Sequence, residues 1–215
     1  MNKLAIFDLD GTLIDSLPDI IDSLNATMRK FSHSEICYED ARKFIGNGAK
    51  VLVEKSIGKS LPLADFNKRL DYYNNIYTNS GSPKTKVYEG TIEVLTELKN
   101  RGYYIAVITN KPQMTTDNVI NNYFKNVKFD AVIGQQEGRE KKPNPQTTLS
   151  LINKFGVSKE NTMFIGDSEP DYQTAVNASI KCISVLWGYR TKEELEKVGA
   201  NHFVLEPKQL LTILN

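Results

Sequence analysis

The chain has 215 residues, enough for one large domain or for a core carrying a smaller insert. About 40% of the residues are hydrophobic and 25% are charged, the balance of an ordinary globular enzyme rather than a disordered or membrane-spanning chain. Its 27 basic and 26 acidic residues nearly cancel and form no basic tract, so charge gives no reason to expect a nucleic-acid or membrane partner.

The N-terminal apolar run, Leu4 to Phe7, stops too soon for a signal segment. No later stretch approaches the roughly 18–20 apolar residues of a membrane span. Cys37 and Cys182 stand far apart without a CxxC or a His-rich neighbourhood, and the expectation is two buried thiols in a reducing, cytoplasmic setting.

Short runs rich in β-branched and aromatic residues occur at 3–7, 103–108, 131–133, 162–165, 181–186 and 203–205. Helical periodicity separates most of them. In 91–99, for example, Ile92, Leu95 and Leu98 recur at three-residue steps before Arg101-Gly102. Strands alternating with helices predict βαβ units, hence an α/β fold with a doubly wound, Rossmann-like parallel sheet. The stretch from Ile14 to Ser82 breaks this rhythm with helical patterns and no convincing strand. Ser16 and Pro18 suit a helix start, and Phe66, Leu70, Tyr73 and Tyr77 form an apolar stripe at helical spacing. The expected organisation is an α/β core of residues 1–13 and 83–215, interrupted by a small all-helical cap domain at 14–82.

Active sites of open α/β sheets lie at the carboxyl ends of the strands. Those positions hold Asp8-Leu9-Asp10-Gly11-Thr12, then Thr109-Asn110-Lys111, then Lys141-Lys142-Pro143, then Gly166-Asp167-Ser168-Glu169-Pro170-Asp171. Asp8 and Asp10 face the same side of an extended backbone. Two carboxylates about 4 Å apart repel by roughly 4 kcal/mol at an effective dielectric near 20. Asp167 worsens the repulsion, so the cluster needs a cation, a proton or both. Oxygen ligands without His or Cys favour a hard ion, and Mg²⁺ suits a phosphate site.

Taken together, these segments resemble the four motifs of the haloacid dehalogenase superfamily. Asp8-Leu9-Asp10-Gly11-Thr12-Leu13 is similar to the first, Val107-Ile108-Thr109-Asn110-Lys111-Pro112 to the second, Lys142-Pro143-Asn144-Pro145 to the third and Gly166 to Asp171 to the fourth. An acid at Asp10 is the phosphatase pattern within that superfamily. The resemblance implies a Mg²⁺-dependent phosphatase in which Asp8 is the nucleophile and forms an aspartyl-phosphate. Asp10 would be the acid–base residue, favoured as a proton carrier by its negative neighbours, and its main-chain carbonyl would join Asp8 and Asp167 as metal ligands. Thr109, Asn110 and Lys142 would bind the phosphoryl group, and Asp171 would support the metal water or Lys142. The cap would close over the crevice and select the leaving group, with Asn47 and Gly48 of the Phe44-Ile45-Gly46-Asn47-Gly48-Ala49 loop touching substrate.

The Asp15-to-Asp19 and Ile45-to-Ala49 segments, with Trp187-Gly188-Tyr189-Arg190, look like those of phosphoglycolate phosphatases, which makes 2-phosphoglycolate the expected substrate. Other readings are pyrophosphate, a nucleotide or a sugar phosphate as substrate, a phosphomutase, and a non-catalytic phosphate-binding module. The family resemblance also implies a monomer or weak homodimer with a small phosphorylated metabolite as its only partner. Glu169-Pro170 within the fourth segment and Asn177-Ala178-Ser179 after it depart from the family pattern. His33 and His202 match no motif and carry surface or packing roles on this reading.

Overall fold

A computed structural model describes residues 2–214. The chain divides into two compact units, one of residues 1–15 and 87–215 and one of residues 16–86. The expected divisions at 13/14 and 82/83 fall a few residues away. The difference comes from two short strands, β2 (Ile14–Asp15) and β3 (Lys86–Val87), which pair with each other. A two-residue strand has too little alternation to be read from sequence.

β1 (Lys3–Phe7) opens the α/β unit. The 16–86 unit holds four helices, α1 (Leu17–Lys30), α2 (Tyr38–Phe44), α3 (Ala49–Ile57) and α4 (Leu63–Asn79). Pro18 sits in the first turn of α1, where a missing N–H costs no helical hydrogen bond. The α4 stripe is core as expected, with Phe66, Tyr73 and Tyr77 buried and the last two rings stacked at 5.7 Å. Asp19, buried on α1, accepts hydrogen bonds from the Lys84 amide (3.1 Å) and the Thr85 hydroxyl (2.7 Å), tying the end of this unit to its first helix. Cys37 departs from expectation: it is exposed, at the N-cap of α2. His33 accepts a hydrogen bond from Arg69 Nε at 3.0 Å.

The α/β unit continues with α5 (Thr91–Asn100), β4 (Tyr103–Pro112), α6 (Gln113–Tyr123), β5 (Ala131–Gln135), α7 (Gln146–Phe155), β6 (Thr162–Gly166), α8 (Glu169–Ala178), β7 (Lys181–Val185), α9 (Lys192–Glu196), β8 (Phe203–Val204) and α10 (Leu210–Ile213). Six strands form one sheet in the order β5-β4-β1-β6-β7-β8, and every neighbouring pair is parallel. From β1 the chain builds outward through β4 and β5, then returns to build the other side. β1 is therefore flanked by the strands at which the winding reverses, where crevices form in such sheets.

Parallel strands covered on both faces read as unbroken apolar runs. In β1, Ala5 and Phe7 enter one core with Val94, Leu95 and Leu98 of α5 and Val119 of α6. Leu4 and Ile6 enter the other, with Leu151 and Ile152 of α7 and Ala175 of α8. Phe164 of β6 is fully buried in that second core, and its ring centroid lies 5.6 Å from Lys142 Nζ. Truncation of a buried Phe costs about 3–5 kcal/mol through lost burial and a residual cavity. Phe164→Ala is accordingly expected to lower unfolding free energy by about that amount, read as a reduced urea midpoint.

Candidate active site

The turn after β1 places two acids at the carboxyl edge of the sheet. The Asp8 amide donates to Ile165 O at 2.9 Å, extending the pairing with β6 by one residue. The chain then turns tightly, with the Gly11 amide donating to Ile14 O at 2.8 Å. Gly11 has φ +86°, and a β-carbon there would run into the Asp167 carboxylate. Position 11 thus needs glycine both for its left-handed backbone and for space.

Asp8, Asp167 and Asp171 are buried, and one carboxylate oxygen from each lies within 4.8 Å of the others. A single cation enters this group. Lys142 Nζ stands 2.8 Å from Asp8 Oδ1 and 2.5 Å from Asp171 Oδ1, with its side chain 2% exposed. Asn110 holds the lysine by its backbone: the Lys142 amide donates to Asn110 Oδ1 at 2.9 Å, and Asn110 Nδ2 donates to Lys142 O at 3.2 Å. Asp171 also accepts from the Ser168 amide (3.0 Å) and hydroxyl (2.6 Å) in the capping box of α8. Asp167 is fixed from two directions, by the Tyr189 amide at 2.8 Å and the Thr12 hydroxyl at 3.1 Å. Gly188 lies so close to Asp167 and Gly11 that a β-carbon would overlap both.

This crowding shifts proton affinities. Burial, reinforced by the charges of Asp171 and Asp10 and opposed by Lys142, pushes the Asp8 carboxyl up to about 7. Burial with the charges of Asp171 and Asp8 pushes Asp167 up to about 8, against the Tyr189 amide and Thr12 hydroxyl. Burial works against the Lys142 cation, yet Asp171 and Asp8 together hold its pKa above the ordinary lysine value. Asp8 Oδ1 is buried, and Lys142 Nζ is the cation beside it. Oxygen donors only, with more anions than cations, suit a hard divalent cation.

Asp10 stands apart from that trio. Its Oδ1 pairs at 2.8 Å with Lys111 Nζ, whose side chain is 2% exposed. Asp10 therefore has a buried cation in direct contact as well as the negative neighbour Asp8. Thr109 is buried at the end of β4, and its hydroxyl accepts from the Lys111 amide at 3.2 Å. Asp8, Asp10, Thr109, Asn110, Lys142, Asp167 and Asp171 thus all belong to the α/β unit, at or just beyond strand ends. Asn47 and Gly48 belong to the helical unit, between α2 and α3, where Gly46 (φ 106°) and Gly48 (φ 84°) adopt backbone angles that strongly favour glycine. Sequence reasoning missed Lys111, Thr12 and the Tyr189 amide. Lys111 had a visible signal as a lysine beside Thr109, whereas a main-chain amide has no residue-type signal.

The family model for haloacid dehalogenase-like hydrolases matches residues 5–185. A phosphoglycolate phosphatase of Aliivibrio fischeri is 31% identical over 222 aligned positions, covering 99% of this chain and 96% of the relative. One from Haemophilus influenzae is 32% identical, covering 99% and 98%. The crystal structure of a predicted phosphoglycolate phosphatase from Haemophilus somnus superposes with a TM-score of 0.91 at 28% identity, covering 99% of this chain and 98% of that one. The four strand-end segments, the parallel sheet that gathers them and these similarities agree, and the chain belongs to the haloacid dehalogenase-like hydrolase family.

Proposed function

We propose that the chain is a Mg²⁺-dependent phosphatase that hydrolyses a small phosphate monoester, 2-phosphoglycolate, through an aspartyl-phosphate on Asp8. The observation that carries this reading is the buried cluster of Asp8, Asp167 and Asp171 gathered around Lys142 at the carboxyl edge of the sheet. A carboxylate needs no base to become a nucleophile; it needs relief from approaching another anion. Bound Mg²⁺, held by the carboxylates of Asp8 and Asp167 and the main-chain carbonyl of Asp10, would supply positive charge for that purpose.

In the first step a carboxylate oxygen of Asp8 bonds to phosphorus while the bond from phosphorus to the ester oxygen breaks. Asp10 gives its proton to the departing alkoxide. Lys142 and the Thr109 hydroxyl hold the transferring phosphoryl oxygens, the principal work in a reaction governed by positioning and charge. In the second step Asp10 takes a proton from water as that water bonds to phosphorus, and the bond to Asp8 breaks to restore the carboxylate. Asp171, already engaged with Lys142 and Ser168, orients the lysine. The Asn110 side chain braces the Lys142 main chain, which leaves its own main-chain amide for a phosphoryl oxygen. The helical unit selects the leaving group through the loop bearing Asn47 and Gly48, and the names of the relatives at 31–32% identity support 2-phosphoglycolate.

Hydrolysis of an aryl phosphate is expected to require Mg²⁺, to stop with chelator, and to fall at least about a thousandfold in Asp8→Asn, given that loss of a nucleophile leaves little but binding. Persistent turnover in that variant, with deamidation excluded by mass spectrometry, would remove Asp8 from its role. In a panel of phosphate esters and pyrophosphate, 2-phosphoglycolate is expected to give the highest kcat/KM. A nucleotide or sugar phosphate at the top would replace the substrate and keep the reaction.

The proton affinities give a further check on metal-free protein. Asp8 and Asp167 have folded pKa values near 7 and 8, above their ordinary 3.8, so the folded state holds protons that the unfolded state has released. Stability is therefore full below about pH 4 with respect to these groups and is lost as pH rises through about 7–8. The melting temperature in chelator is expected to fall across that window, Asp167→Asn is expected to flatten the fall, and Mg²⁺ is expected to raise the melting temperature most at its alkaline end. An unchanged slope in Asp167→Asn would count against this assignment.

A further inference from the structure

Among the charged side chains at the carboxyl edge of the sheet, six fall into two ion-paired groups. Asp8, Asp167 and Asp171 share Lys142, whereas Asp10 pairs with Lys111. Asp8 and Asp10 are two residues apart, at the start of the tight turn that follows β1. Each of them meets a different lysine, and both lysine side chains are 2% exposed.

Lys111 is set rigidly. It lies where the β4–β5 register shifts between Ile108 and Pro112, so its main chain leaves the regular ladder. Its amide donates to Thr109 Oγ1 at 3.2 Å, and its carbonyl accepts from the Thr116 hydroxyl at 3.4 Å. Opposite, Gly134 has no side chain, and a β-carbon there would come within 2.8 Å of both Lys111 O and Thr116 Oγ1. Three features of the packing therefore fix the backbone from which this lysine reaches Asp10. A lysine on a surface would gain little from such an arrangement, since an exposed ion pair contributes only about 0–1 kcal/mol. A pair this dry keeps its geometry because each charge, left alone, would be strongly disfavoured.

We propose that Lys111 is a positioning residue for Asp10. It holds the Asp10 carboxyl away from the Asp8–Asp167–Asp171 trio and on the side where a leaving group departs, and it acts on turnover only through Asp10. The inference rests on the reading of Asp10 as the proton donor to the leaving group. It adds to that reading a second lysine whose effect is confined to esters that need the proton.

Leaving-group basicity tests this directly. An alkyl phosphate leaves as a strongly basic alkoxide and needs protonation, whereas 4-nitrophenyl phosphate leaves as a weakly basic phenolate and does not. Both esters are assayed with full-length protein and saturating Mg²⁺. Lys111→Met is expected to lower kcat for glycerol phosphate at least about 30-fold, within the range that general acid catalysis contributes, and to lower kcat for 4-nitrophenyl phosphate no more than about threefold. KM for each ester and the Mg²⁺ concentration for half-activation are expected to stay within about threefold, because Lys111 is proposed to touch neither phosphate nor metal. Lys111→Arg is expected to recover part of the alkyl-ester rate. In an Asp10→Asn background, Lys111→Met is expected to have no further effect on the alkyl ester.

An equal loss for both esters would overturn the proposal in favour of a structural role. A loss confined to KM would make Lys111 a substrate ligand, and additive losses with Asp10→Asn would show that it does not act through that acid. Should Lys111→Met fail to fold, Lys111→Gln, which can still hydrogen-bond Asp10 without charge, is read by the same ratio of the two esters. A parent protein inactive on both esters would overturn the phosphatase reading and this inference with it. An active parent with an equal loss overturns this inference alone.

Discussion

Three buried carboxylates packed within 4.8 Å around one lysine is the constraint to which the surrounding structure responds. Several neighbours of Asp8, Asp167 and Asp171 bring either a donor or an absence of bulk. Donors come from the Thr12 hydroxyl, the Tyr189 amide and the capping box at Ser168. The absences are Gly11, Gly166 and Gly188, where a β-carbon would collide with Asp167 or Asp171. These donors nevertheless leave the cluster short of positive charge, as the raised proton affinities of Asp8 and Asp167 show. That shortfall is strained in isolation and useful when a divalent cation and a phosphate complete it, and it is a physical basis for the pairing of metal and substrate proposed for this site.

The sheet topology makes such a concentration of charge possible. β1 lies between β4 and β6, so the acids that follow β1 are flanked on one side by Thr109 and Lys111 and on the other by Asp167. Below the site, both faces of β1 are sealed by separate apolar cores. A sheet buried on both sides offers its polar chemistry only at strand ends, and the parallel arrangement puts all of those ends together.

Much of this could be read from the sequence because it follows from period and order. Apolar runs of the right length marked β1, β4, β6 and β7, and the rule that chemistry sits at carboxyl ends then selected Asp8, Thr109 and Asp167 without any coordinates. What escaped depends on local departures from regularity. β4 runs on past the apolar stretch ending at Ile108 and shifts register before Pro112, and that shift decides where Lys111 goes. The Asn110 side chain closes on the Lys142 main chain, a partner 32 residues away that no local pattern in the sequence indicates. Short strands at Ile14–Asp15 and Lys86–Val87 are too brief to show alternation, which moved the unit boundaries. The exposure of Cys37 depends on its N-cap position at α2, and cysteine's general preference for burial says nothing about that.

All the charged groups around Asp8 arise from one unit of the chain, residues 1–15 and 87–215. If leaving-group choice resides in the helical unit, as proposed, the two tasks place different demands on sequence. The charge cluster tolerates little change, because each carboxylate alters its neighbours' proton affinities and each glycine is fixed by contact. The loop at Gly46-Asn47-Gly48 is constrained chiefly by its backbone angles, so the residues around it can vary without disturbing the cluster's electrostatics. A division of this kind lets one chemical centre serve many esters, with specificity changing in the helical unit.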